Sequence, residues 1–418
     1  MSLLSAGSLW RVRDLRIVVL ARAVSLLGDE LALVALLLRT QGRHSGAWPV
    51  VALLLAGGLP LVLFAPLVGR LVDRVDSRTL LLTSGCAQLA CCLWLAWLPS
   101  QPVVLALVAA LGTGQAVNSA SWQALVPGIV GVDRLPAALG LSQAVTTVAG
   151  IAAPALGGLL TGLYGARLPL LLDAASFTAV ALAALAIRTR RGGASARLED
   201  PRGGWAIVRS DAVLLPLVAM VSVFVLLCGM INVVEVFLIR ETLHASATWY
   251  GVLGSGWGGG LLAGALLGGR MAGGSGDQRR LLWLTLVSAG GLSLVLAGMG
   301  LAPAVAWVLP VVLAGGLCNG LLNVATGSLI GMRSAEAVRG RVAAITGGIA
   351  SAGQVGAMLL GGLLASALAP RQIFVLAGIL GALVPLALGH RLLLSAPARP
   401  AASPDPGPPL VAVAEPVV

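Results

Sequence analysis

Four stripes of polar side chains lie within segments that are otherwise apolar. Arg22, Ser25 and Asp29 fall at i, i+3 and i+7, one face of a helix, with Glu30 beside them. Gln115, Asn118, Ser119 and Trp122 fall at i, i+3, i+4 and i+7, while Cys228, Asn232 and Glu235 fall at i, i+4 and i+7. Asn319, Asn323 and Thr326 repeat that last spacing. Inside a bilayer such groups are costly, and they usually face a bundle interior or a water-filled cavity. Amides and an indole in this pattern can line a cavity for a small molecule, and the carboxyls can carry a proton. The plainer alternative is interhelical hydrogen bonding, worth ~1 kcal/mol or less per bond.

Asp29 is the sharpest case. It precedes Arg39 by ten residues, about 15 Å at 1.5 Å per residue, and so sits close to mid-bilayer. The ionised carboxylate is expensive there unless water or Arg22, two turns away, attends it. A carboxyl held between those effects can load and release a proton as its surroundings turn wet and dry. The structural alternative is a permanent Arg22–Asp29 bridge that ties the bundle together. Glu30 points about 100° away around the helix and is a separate proton-coupling candidate. Glu235 precedes Arg240 by only five residues, so it either takes part in coupling or simply reaches external water.

Twelve apolar segments must position these residues. They run at roughly 16–38, 48–69, 79–98, 102–126, 138–163, 168–187, 213–239, 249–269, 280–300, 304–330, 342–367 and 371–393, each near the ~20 residues that cross a bilayer. The stripes fall on spans 1, 4, 7 and 10, the first members of four three-helix units. Span 5 (Gln143, Thr146, Thr147) and span 11 (Thr346, Ser351, Gln354) are also polar, whereas span 2 is almost wholly apolar. A mean hydropathy of +0.97 with 58% hydrophobic and 10% charged residues excludes an ordinary soluble domain.

The 27 basic residues are all arginines, and they are sorted by side. Twenty-one lie at the N-terminus, in even-numbered gaps or at the C-terminal end, against five in odd-numbered gaps, with Arg22 alone inside a span. The positive-inside bias therefore places both termini in the cytoplasm. The net charge of +11 follows from this topology rather than from nucleic-acid binding, because the arginines are scattered over short loops with few aromatics. Arg11, Arg13 and Arg16 precede a first span too long for a signal peptide's apolar region. The absence of lysine alongside abundant Ala, Gly, Arg and Leu suggests a GC-rich bacterial genome, and hence a bacterial inner membrane.

Cys86, Cys91, Cys92, Cys228 and Cys318 all lie in apolar segments without paired metal spacing and read as small hydrophobes. His44, His244 and His390 sit singly at helix ends. Neither a metal centre, a cofactor nor an enzyme active site is expected, and no Walker loop couples the chain directly to ATP. The expected partners are a small-molecule substrate, protons and the lipid bilayer, with the chain acting as a monomer.

The longest polar break lies midway and divides the chain into a six-helix bundle over 1–187, a cytoplasmic linker over 188–212 and a second six-helix bundle over 213–394. The Pro- and Ala-rich tail over 395–418 is expected to be disordered. An internal repeat supports the division. Gly157-Gly158-Leu159-Leu160 recurs as Gly361-Gly362-Leu363-Leu364, each followed by an arginine (Arg167, Arg371), and Gly69-Arg70 has a worn copy at Gly269-Arg270. The predicted fold is therefore an all-α membrane protein of twelve transmembrane helices in two pseudo-symmetric bundles, an architecture of secondary transporters.

The loop Gly69-Arg70-Leu71-Val72-Asp73-Arg74-Val75-Asp76-Ser77-Arg78 resembles the signature between helices 2 and 3 of the major facilitator superfamily, with Asp76 where that signature has Gly. The resemblance implies that Asp73, Arg74 and Arg78 form a charge relay that latches the cytoplasmic side, with Gly69 permitting close helix approach. A merely positive-inside loop is the alternative. Gly150-Ile151-Ala152-Ala153-Pro154-Ala155-Leu156-Gly157-Gly158 resembles the antiporter signature of drug exporters, with Ala153 replacing one glycine. Gly150, Pro154, Gly157 and Gly158 would then form an export-specific gate or simply a close packing surface. Ser25-Leu26-Leu27-Gly28-Asp29, the Arg-Val-Asp turn and Asp173-Ala174-Ala175-Ser176-Phe177 together resemble the macrolide- and siderophore-exporter branch. That branch implies proton-coupled antiport of a drug, macrolide-like compound or siderophore by alternating access. An importer of a small metabolite, or a transporter-like scaffold, are the competing readings.

Overall fold

A chain this apolar has to satisfy its backbone polar groups within each segment, and it does so as helices. The computed structural model describes residues 10–43, 46–97, 99–131, 134–189, 205, 208–272, 277–334 and 336–394. Most of the 188–212 linker and the whole 395–418 tail lie outside the described residues. In chain order the helices are α1 (Arg13–Arg43), α2 (Trp48–Leu63, resumed as Ala65–Arg74), α3 (Ser77–Ala96), α4 (Gln101–Val130), α5 (Leu135–Tyr164) and α6 (Arg167–Ala186). Then come α7 (Leu214–Phe237, extended by a π turn, Leu238–Thr242), α8 (Ala247–Ala272), α9 (Gln278–Leu301), α10 (Val305–Arg333), α11 (Glu336–Ala365) and α12 (Pro370–Leu394).

Ten of these helices are individually long and apolar enough to cross a membrane, and the two pieces of α2 make an eleventh. The twelfth is α1. Its 31 residues suffice for a crossing, but Arg22, Asp29 and Glu30 interrupt its apolar middle. The sequence pattern predicts one straight span over 48–69. Instead α2 bends by 53° at Phe64. Pro66, in the first turn of the second piece, cannot donate to the preceding turn and its ring crowds the carbonyl there.

The two bundles repeat one another contact for contact. In the first, α1 packs on α5 and α6, α3 on α6 and α4, and α2 on α4. In the second, six helices later, α7 packs on α11 and α12, α9 on α12 and α10, and α8 on α10. The cross-bundle pairs obey the same shift, with α5 on α8 and α11 on α2. The repeated glycine pair explains why. Gly157 lies against Leu31 and Val34 of α1 and Gly158 against Ala247 and Gly251 of α8. Gly361 lies against Met230 and Val233 of α7 and Gly362 against Val51 of α2. In each copy the first glycine admits the first helix of its own bundle, and the second admits a helix of the other bundle.

The face at which α1 begins and α12 ends is the near face, and the opposite one the far face. The principal contacts between bundles are α5–α8, α2–α11 and α1–α7, and they lie toward the far face. There Gln41 Nε2 donates to Glu241 Oε1 at 2.9 Å across the two bundles. At the near face the polar ties described run within bundles. Asp14 accepts from the Arg188 and Thr189 amides, both at 3.0 Å, and from Thr189 Oγ1 at 2.8 Å. Asp211 accepts from the Val213 and Leu214 amides at 2.7 and 2.9 Å and pairs with Arg333 at 2.8 Å. The state is closed at the far face.

Candidate functional site

Asp29 sits one residue past the midpoint of α1. Its Oδ2 accepts from Gln115 Nε2 of α4 at 2.8 Å. The charged groups within electrostatic range of it are other carboxyls, Asp173 of α6 and the adjacent Glu30. Gly28 makes the approach of α6 possible, because a Cβ there would stand 2.6 Å from both Asp173 Oδ1 and Ser176 Oγ. Asp173 itself is 1% exposed. It accepts from Cys92 Sγ at 3.1 Å and from Ser176 Oγ at 3.2 Å. Two sequence fragments that are far apart in the chain, around Gly28-Asp29 and around Asp173-Ser176, thus build one carboxyl site.

The alternative of a permanent Arg22–Asp29 bridge is not made among the described residues. Seven residues along a helix keep the two on one face but separate them by about 10.5 Å of axial rise. Arg22 instead lines a cavity of about 210 Å³ with Ser25, Gln115, Ser119, Gln143 and Thr146. The polar residues of spans 1, 4 and 5 therefore do converge. Gln115 belongs to both features, touching the cavity and holding Asp29.

Asn118 does not join them. It is 2% exposed, donates through Nδ2 to Gln88 Oε1 at 2.6 Å and accepts from Ser84 Oγ at 2.5 Å, so it ties α4 to α3. This corrects the cavity role expected for it. Trp122 contributes only an edge to the cavity and otherwise packs in the core with Leu15, Val18 and Leu125.

In the second bundle, Cys228, Asn232 and Glu235 line a smaller cavity of about 120 Å³ with Gly254 and Trp257. Tyr250 of α8 lies within electrostatic range of Glu235 in its own bundle and of Glu30 in the other. Asn319 and Asn323 line neither cavity and pair with each other, Asn323 Nδ2 donating to Asn319 Oδ1 at 3.0 Å.

At the near face, Asp76 caps α3 by accepting from the Arg78 amide at 3.3 Å. Arg78 donates through Nε and Nη2 to the Ala184 and Leu185 carbonyls, both at 3.0 Å. The start of α3 is thereby locked to the end of α6. Among the described residues, no bond joins Asp73 to Arg74 or Arg78, so the expected relay is not formed in this state. Gly69 faces open space, so the close approach expected of it is not made here.

The α5 glycines do make close contacts. Gly251 packs on the Pro154 carbonyl, Gly254 on the Pro154 ring and Gly258 on Ile151. The Ala155 amide donates to Ser255 Oγ of α8 at 2.9 Å, a backbone bond made across the bundles. Gly150 stands outside this crossing, near Leu26. The α8 half of the crossing was readable, since Gly251, Gly254, Ser255 and Gly258 are small residues at i, i+3, i+4 and i+7. Sequence reasoning also missed Asp173 as a site residue, although a carboxyl within an apolar span is itself a signal.

Twelve helices in two bundles related by a six-helix shift, with mid-membrane carboxyls beside polar cavities, define the class of alternating-access secondary transporters. The Major Facilitator Superfamily profile matches residues 18–238, more than half of the chain. The chain belongs to that superfamily and is a multi-pass membrane transporter. No curated protein matches it in sequence. Among solved structures, the nucleoside transporter NupG is similar with a TM-score of 0.71 at 11% identity, over 91% of this chain and 99% of NupG. A bacterial homologue of the iron transporter ferroportin, inward-facing, has a TM-score of 0.67 at 15% identity, over 93% and 99% of the two chains. A bacterial homologue of the human lysosomal transporter Spinster, inward-facing and unoccupied, has a TM-score of 0.63 at 12% identity, over 95% and 96%. At these identities the likeness is one of fold.

Proposed function

We propose that this chain is a monomeric, proton-driven exporter of a lipophilic small molecule in a bacterial inner membrane, with both termini cytoplasmic. The observation that carries the reading is Asp29, a carboxyl one residue past the midpoint of α1 that has two further carboxyls, Asp173 and Glu30, within electrostatic range and is held by an amide donor. Three such groups in a membrane interior repel one another when ionised, and binding a proton relieves that repulsion. The Gln115 N–H on Asp29 suits a carboxyl that exchanges a proton and would oppose a metal cation at the same oxygen.

Gln115 supplies the coupling. It lines the cavity and also holds Asp29, so a substrate that draws on Gln115 loosens the group that carries the proton. With the near face cytoplasmic, a state closed at the far face is the one that would load substrate from inside. Opening the far face would let Asp29 take a proton from outside, with Glu30, Tyr250 and Glu235 marking titratable groups toward the bundle interface. The export direction is supported by the α5 segment that resembles the antiporter signature, whose Pro154 and Gly158 pack on α8 at the far-face crossing while Gly157 packs on α1.

The test is transport into proteoliposomes or membrane vesicles under an imposed pH gradient, screened with several lipophilic compounds. Asp29→Asn keeps shape and hydrogen bonding but removes the titration, and is expected to retain substrate binding while losing uphill export. A variant that still concentrates substrate with the wild-type pH dependence would remove Asp29 from the mechanism.

A further inference from the structure

A third cavity, apart from the carboxyl site, opens between the bundles at the far face. It measures about 560 Å³ and is lined by Arg39 and Arg43 at the end of α1, Thr161 at the end of α5, Arg240 in the π turn, and Ser246 and Thr248 at the start of α8. Three arginines from two bundles line one cavity, and Arg39 is anchored there by Nη2 donating to the Pro99 carbonyl at 3.1 Å. Neither Arg43 nor Arg240 has a carboxylate at ion-pair distance among the described residues, and the nearby Glu241 is engaged by Gln41. Arg240 Nη1 donates to the Ala245 carbonyl at 2.7 Å, which anchors the side chain to the loop before α8.

Arg240 Nε and Thr161 Oγ1, in two of the lining residues, are buried with no hydrogen-bond partner among the described residues. Both atoms are shielded from the open cavity, so an acceptor there reaches them only when the side chains turn, and the site rests first on the arginines that line it. Three guanidiniums with hydroxyls beside them match a tetrahedral oxyanion with several acceptor oxygens, because guanidinium forks bind phosphate bidentately. The π turn is what aims Arg240 here, since wide turns of this kind re-orient side chains at working positions.

We propose that this cavity binds a phosphate group, and that the bound group holds the far face closed because its ligands come from both bundles. Arg39, Arg43 and Thr161 belong to the first bundle, and Arg240, Ser246 and Thr248 to the second. The group is supplied by inorganic phosphate or by a phospholipid headgroup at the membrane surface. Its ligands part when the far face opens, so occupancy favours the closed state by mass action.

The experiment uses the full chain in phosphatidylcholine nanodiscs, titrated with sodium phosphate at constant ionic strength against chloride, beside nanodiscs rich in phosphatidylglycerol. Thermal stability is read in each, together with the distance between spin labels on Tyr164→Cys and Leu301→Cys in a background with the native cysteines replaced by serine. If free phosphate is the source, it raises Tm and narrows the far-face distance in phosphatidylcholine. If the lipid is the source, phosphatidylglycerol does both and added phosphate changes nothing further. In either case Arg43→Ala, which removes an exposed and unpaired side chain, and Arg240→Ala each weaken the response about tenfold, near the loss expected for one charge-assisted hydrogen bond. Failure of both ligands to stabilise, or an equal response in wild type and Arg43→Ala, overturns the site. Stabilisation without any change in the far-face distance overturns the closure.

Discussion

Gly251→Ala should push the protein out of the far-face-closed state. A Cβ at this position would run into the Pro154 carbonyl oxygen and stand 2.9 Å from that carbonyl carbon and 3.0 Å from Gly158 Cα. All three are backbone atoms of α5, so no side chain can rotate away. Carbon atoms sit comfortably at about 3.5–4.0 Å, so α5 and α8 must part by roughly an ångström. Overpacking of this kind costs ~1–3 kcal/mol. That penalty applies only where α5 and α8 touch, so it shifts the equilibrium toward the far-open state by roughly 5- to 150-fold. Alanine also gains about 1 kcal/mol of helix propensity over glycine, whichever state is occupied. Gly259→Ala in the same helix controls for it, because a Cβ there meets nothing within 4 Å. The assay is the spin-label distance between Tyr164→Cys and Leu301→Cys, compared across the three proteins. A folded Gly251→Ala with the same distance distribution as Gly259→Ala would refute the claim that this crossing closes the far face.

Arg78→Ala removes both bonds from α3 to the last carbonyls of α6 and should lower the midpoint of thermal unfolding, at about 1–3 kcal/mol for charge-assisted bonds. Asp73→Asn should insert normally yet depress transport strongly, because the latch would engage only when the near face closes; unchanged kinetics at normal abundance would rule the latch out. At the near face, partial burial alone would raise the Asp211 carboxyl, but the Leu214 and Val213 amides and Arg333 outweigh it and hold it below the usual range. Asp14 is lowered against its burial by Thr189 and the Arg188 amide. Both contributions to stability are therefore complete above about pH 4, the unfolded value. They are lost as pH falls through the lower folded values, so Asp211→Asn and Asp14→Asn should each flatten the acid limb of a Tm–pH profile.

Much of the fold was legible because bilayer physics leaves few options: an apolar run of the right length becomes a helix, and arginines mark the loops. The stripes were legible for the same reason, and two of them meet through Asp29 and Gln115. Periodicity gives a face but not what the face meets. Asn118 shares a stripe with Gln115, yet its end of α4 opposes Ser84 and Gln88 of α3, whose own polarity was the missing clue. Arg22 and Asp29 share a face without sharing a level. Asp76 looked like a defect in a loop signature because glycine is usual there. Its φ of −57° needs no glycine, and its carboxyl caps α3. The break in α2 was written in Pro60 and Pro66, but hydropathy averages across such a break.

The carboxyls divide according to what a rocking motion would disturb. Asp29, Gln115, Asp173 and Cys92 all belong to the first bundle, on α1, α4, α6 and α3, so rigid-body rotation of one bundle against the other leaves their bonds in place. Glu30 differs. Tyr250 lies on α8, beside the crossing that closes the far face, within electrostatic range of Glu30, and Glu235 lies on α7 of the same bundle, so opening that face would change the charges that Glu30 feels from the other bundle. What changes for Asp29 between states is therefore access by water and by substrate at Gln115, while what changes for Glu30 is its electrostatic surroundings. A proton held at Asp29 would report occupancy of the cavity, and one held at Glu30 would report the conformation. The two adjacent residues are then separable by experiment. Glu30→Gln should alter the balance between far-open and far-closed states, read by the same spin labels, whereas Asp29→Asn should leave that balance near wild type and abolish the dependence of uphill transport on the pH gradient.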